Sequence, residues 1–135
     1  GSGKCIIDQN QINYLHKLQN LYVNNNSYIT SVNHLANVLV ELNCSENSMI
    51  NQNGIKDLKI LQKLNANDNE KINNVNHLSN TLIELDCAFN CGINQKGILN
   101  LKKLHTLGCY GNTNINNVNH LANSLIDLNC GGSCG

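Results

Sequence analysis

Proline, tryptophan and arginine are missing from this sequence, and phenylalanine and methionine occur once each. Charge is scarce too. Charged residues make up 13%, nine basic side chains (all lysine) balance nine acidic ones, and the formal net charge is zero. Such a balance exerts no overall pull on nucleic acid or on an anionic membrane. No apolar run approaches the roughly 18 residues that a spanning helix needs. There is no phosphate-cradling glycine loop and no G-x-S-x-G nucleophile turn, since Gly108, Gly111, Gly131 and Gly132 stand at separate positions. The seven cysteines are an odd number without the close spacing of a disulfide framework. They predict reduced thiols in an intracellular protein.

Asparagine, by contrast, is abundant, with 29 residues in a chain of 135. Such a bias can mark a disordered tract, but the apolar residues here are too regularly spaced for that. The stretch Leu82-Ile83-Glu84-Leu85-Asp86-Cys87-Ala88-Phe89-Asn90 follows L-x-x-L-x-L-x-x-N with cysteine in the third apolar place. His34, His77 and His120 recur at a period of 43, as do Cys44, Cys87 and Cys130. Leu18, Leu39, Leu61, Leu82, Leu104 and Leu125 are spaced alternately by 21 and 22, so each long unit contains two turns and the chain contains six. One turn cannot bury its apolar positions alone, whereas stacked turns join them into continuous columns. A repeat this short leaves room for a strand of a few residues and an extended or 3₁₀ return path, with little α-helix. Gly54 and Gly97 are expected where the longer turn needs positive φ.

These motifs resemble the leucine-rich repeat family over essentially the whole chain, in its short class of phosphatase regulators and bacterial internalins. Phrases such as Asn90-Cys91-Gly92-Ile93-Asn94-Gln95-Lys96-Gly97-Ile98 are similar to repeat proteins encoded by giant viruses of amoebae, which would place the protein in a host cytoplasm. The resemblance implies an α/β-type solenoid, a right-handed superhelix of six turns with a parallel sheet on its concave side, used mainly for protein binding. It also implies a buried asparagine ladder at Asn26, Asn47, Asn69, Asn90 and Asn112, broken by Ser133. Residues 1–3 read as a vector-derived remnant and residues 4–135 as three double repeats. Cys134-Gly135 aligns with Cys91-Gly92, the entrance to another repeat, and neither end looks like a capping turn. The expectation is a fragment of a longer array, with uncapped ends that favour end-to-end self-association.

Two rows of side chains invite a chemical reading. Cys44, Cys87, Cys109 and Cys130 share one inward column, where small reduced thiols act as apolar fillers. Cys87-x₃-Cys91 and Cys130-x₃-Cys134 have zinc-like spacing. Being two turns apart, they lie roughly 10 Å from one another and cannot share one ion. His34, Asp57, His77, Asn100 and His120 form an outer row in which His77 could hydrogen-bond Asp57. Partly exposed, loop-ordering residues are the simpler reading. No catalytic residue, cofactor or metal is predicted.

The strand positions that alternate outward are more informative. Asn20, Glu41, Lys63, Glu84, Thr106 and Asp127 align in one row, and Tyr22, Asn43, Asn65, Asp86, Gly108 and Asn129 in the next. Asn24, Ser45, Asn67, Ala88, Tyr110 and Gly131 form a third row, flanked by Glu46, Asp68 and Phe89. This face gathers six carboxylates against the single Lys63, while Lys17, Lys56, Lys59, Lys96, Lys102 and Lys103 map to the return path. It predicts a non-catalytic module that binds a protein partner, one of basic character, through Tyr22, Glu41, Lys63, Glu84, Asp86, Phe89, Tyr110 and Asp127. The alternatives are an end-to-end structural assembly and the substrate-reading part of a larger adaptor. Neither nucleic acid nor membrane is expected as a partner.

Overall fold

A computed structural model describes residues 6–132 of the chain. Six strands, β1 (Asn20–Tyr22), β2 (Glu41–Asn43), β3 (Lys63–Asn65), β4 (Glu84–Asp86), β5 (Thr106–Gly108) and β6 (Asp127–Asn129), form one parallel sheet in sequence order. Each strand pairs only with its neighbours in the sequence, as a solenoid-like repeat requires. The register joins Glu41 to Lys63, Lys63 to Glu84, Glu84 to Thr106 and Thr106 to Asp127. The two predicted outward rows within the strands are therefore in line. Ladder bonds continue past the strands, with Cys44 N–H donating to Asn65 O and Cys87 N–H to Gly108 O.

Behind the sheet, the return path alternates in kind. The longer turns carry α1 (Gln9–Ile12), α2 (Gln52–Ile55) and a 3₁₀ helix at Lys96–Ile98. The shorter ones carry 3₁₀ helices at Asn33–Leu35, Asn76–Leu78 and Asn119–Leu121. Between sheet and return path run buried columns such as Leu42, Leu64, Leu85 and Leu107, and Ile50, Ile72, Ile93 and Ile115. Full burial of one such side chain is worth about 1.5–3 kcal/mol, so stacking and not local propensity holds elements this short. Among the described residues no helix is long and apolar enough to cross a membrane.

The structure corrects two expectations here. First, Gly54 and Gly97 do not have positive φ; those glycines are Gly111 and Gly132. A Cβ on Gly54 would overlap the Thr30 carbonyl oxygen, and one on Gly97 that of Asn73. Close approach of the preceding turn is what demands glycine at these places.

Second, the asparagine ladder has three of its five expected rungs. Asn26, Asn69 and Asn112 are buried, whereas Asn47 and Asn90 are exposed. Asn69 Nδ2 donates to Cys44 O and Ile50 O in the preceding turn, while its Oδ1 accepts from Lys71 N–H in its own. Asn112 does the same for Cys87 O, Ile93 O and Asn114 N–H. One asparagine thus serves two loops, and Ser48 and Cys91 take the interior place in the shorter turns. Ser133, the expected broken rung, and Cys134 lie outside the described residues.

In the first turn Gln11 stands where Gly54 and Gly97 stand, and it closes a capping box with Asp8.

Candidate functional site

The exposed face of the sheet carries the predicted residues, and the structure divides them into two groups. Tyr22, Glu41, Lys63, Glu84 and Asp86 line a shallow cleft of about 150 Å³. Phe89, Tyr110 and Asp127 lie beside it on β4 to β6 and the bends that follow. Lys63 Nζ reaches Glu84 Oε2 at 3.9 Å, an exposed pair of small energetic weight. The Tyr22 hydroxyl is held protonated above its ordinary range by desolvation, then by the Glu41 charge and a hydrogen bond to Glu41. Desolvation, followed by the charge of Glu84, likewise raises the Asp86 carboxyl.

Just beyond the strands, each turn bends through a left-handed residue. Asn25, Glu46, Asp68 and Phe89 have φ between 58° and 61°, followed in the same series by Gly111 and Gly132 at 70°. Asparagine, aspartate and glycine take this conformation readily, whereas Phe89 does so at a cost of about 1–3 kcal/mol. Burial does not offset that cost, since Phe89 is 48% exposed. Its ring packs edge-on against Tyr110, with centroids 5.6 Å apart and an interplanar angle of 63°. Glycines make room beside that pair. A Cβ on Gly131 would come within 2.9 Å of the Tyr110 ring, and one on Gly132 within 3.2 Å.

No family model, no curated protein and no solved structure matches this chain. The site must be read from its own geometry.

The outer row is built differently from the sequence expectation. His34, His77 and His120 place Nε2 3.0 Å from the carbonyl oxygens of Ile12, Ile55 and Ile98. The main chain of the preceding turn, and not Asp57, is thus the partner of His77. Asp57 instead sits 3.9 Å from Lys56 Nζ. Among the described residues, no three histidine, cysteine, aspartate or glutamate side chains gather as a metal group.

Several other polar residues of the return path are also committed to neighbouring turns. Gln9 Oε1 accepts from Thr30 and Ser31 N–H while its Nε2 donates to Ser31 O. Gln52 grips Asn73 and Asn74 in the same way, and Gln95 grips Asn116 and Asn117. Asn33 donates to Asn53 O and accepts from Asp57 N–H, as Asn76 does with Lys96 and Asn100. These clamps were missed in the sequence, although their signal was present. Gln9, Gln52 and Gln95 repeat at 43 while their neighbours vary.

The cysteine column is buried at Cys44, Cys87 and Cys109, whereas Cys130, expected to be inward, is exposed. No described turn packs over it. Burial pushes the Cys44 thiol up to about 12 and the Cys91 thiol to about 11, which makes both poor nucleophiles.

Proposed function

We propose that this chain is a leucine-rich repeat module of the short class, a right-handed superhelix with its sheet on the concave side. Its work is to hold a protein partner on that sheet without catalysing a reaction. The observation that carries this reading is how differently the two faces use their polar groups. On the return path Gln9, Asn33, Gln52, Asn76, His77 and Gln95 are consumed in bonds between turns. On the sheet face the contacts between turns are fewer and exposed, the 3.9 Å Lys63–Glu84 pair and the Phe89–Tyr110 ring contact among them, and Tyr22, Glu41, Lys63, Glu84, Asp86, Phe89, Tyr110 and Asp127 stand at or near the surface.

The partner favoured by six carboxylates and one lysine is basic. Acidic rows steer such a partner and orient it, while aromatic side chains supply the anchoring area. Tyr110→Ala is expected to weaken binding by about 2 kcal/mol, mainly through faster dissociation. Glu84→Lys combined with Asp86→Lys should slow association and flatten its dependence on salt. Surface plasmon resonance against a captured partner would read both effects. Intact binding in these variants, together with loss on His34 or His77 substitution, would move the working surface to the return path. Buried reduced thiols favour an intracellular setting.

A further inference from the structure

We propose that the β4 to β6 part of the sheet is a seat for one arginine side chain of the partner, its guanidinium paired with Asp86 and packed on the Phe89–Tyr110 pair. The inference rests on the protein-binding reading and names the chemistry that this part of the surface selects. Asp86 is the decisive group. Glu84 has Lys63, Glu46 accepts from Asn25 Nδ2 and Asp68 accepts from Asn90 N–H. Glu41 lies against Tyr22. The Asp86 carboxylate has no hydrogen-bond or ion-pair partner among the described residues, and it leans over Gly108 on β5, where a Cβ would overlap its Oδ1. A partly desolvated carboxylate without a cation gains from pairing with one supplied from outside.

What surrounds it narrows the cation. Tyr110 follows Gly108 by two residues on the same face, and Tyr110 and Phe89 are 44% and 48% exposed. Asp127, on the far side of β5, is a second carboxylate without a partner among the described residues. Thr106 and Gly108 keep the floor between the two carboxylates low. A guanidinium is planar, so it stacks on an aromatic ring while its N–H groups fork to a carboxylate. A lysine ammonium is a compact, strongly hydrated point charge and gains less from the rings.

The test uses the pentapeptide acetyl-Gly-Ser-Arg-Ser-Gly-amide with its lysine and citrulline analogues, followed by amide and aromatic NMR shifts of the protein. The arginine peptide is expected to produce saturable shifts at Gly108, Tyr110, Phe89 and Gly131, with the lysine peptide several-fold weaker and the citrulline peptide silent. Asp86→Asn and Tyr110→Leu should each weaken the arginine peptide by about tenfold. Glu46→Gln, which changes a carboxylate elsewhere on the face, should leave it unchanged. Equal response to lysine and arginine, shifts spread over every carboxylate, or no saturable shift would overturn the proposal. The peptide assay needs no natural partner, so it stands if the protein-binding reading fails. Conversely, a partner mapped to the sheet face together with a silent arginine peptide would refute the seat alone.

Discussion

Asn69 holds more of this fold than any charged residue does. Its side chain satisfies two buried carbonyls of the preceding turn and one amide of its own, with 1% of its surface exposed. Asn69→Ala should destabilise the protein by about 3 kcal/mol, because buried acceptors are left unpaired. Asn90→Ala, at the exposed equivalent place, should stay within about 0.5 kcal/mol. Urea unfolding of the two variants checks the contrast. The buried thiols define a second prediction. An unfolded thiol titrates near its reference value of 9.0, whereas folded Cys44 and Cys91 titrate at about 12 and about 11. Both folded values are raised, so their contribution is fully present below pH 9 and is lost as pH rises from there through the folded values. The urea midpoint should therefore fall progressively above pH 9. Cys44→Ala, which copies Ala66 in the same column, should shrink that fall. At neutral pH a thiol reagent should label Cys130 quickly, and Cys44 and Cys91 only after denaturation.

Within the turn, backbone proximity sets the sequence. The α2 segment and the Lys96–Ile98 helix approach the turn before them so closely that only hydrogen fits at Gly54 and Gly97. Gly97→Ala should cost about 3 kcal/mol or more, since the obstructing atom is a backbone carbonyl with little freedom to move. Gln11→Ala, at the same place in α1, should cost only the capping-box contribution of about 1 kcal/mol. Thermal unfolding of the two variants checks the contrast.

Across the whole molecule, every strand pairs only with its neighbours in sequence, so stability is close to a sum over adjacent turns. Amide exchange should then be slowest in β3 and β4, which have turns packed on both sides. It should be faster in β1 and β6, with Leu128 already 45% exposed. Uniform protection across all six strands would indicate a single cooperative unit.

Periodicity alone determined the number of turns, the strand positions and the two outward rows in register, because an apolar side chain of a stacked repeat has one direction in which to be buried. The spacing alone sets Glu41, Lys63, Glu84 and Asp127 on one line. What passes between turns was decided only by the tertiary structure. Asn47 and Asn69 follow the same motif, yet one is exposed and the other bridges two loops, since the turn ahead reaches back to serve the turn behind. His77 finds a carbonyl 22 positions away and not Asp57. Asp86 and Glu84 are both acidic in sequence, but Lys63 lies within ion-pair distance of Glu84 alone. Pairings of this kind depend on ångström-scale offsets between adjacent turns, and a one-dimensional repeat does not encode those offsets.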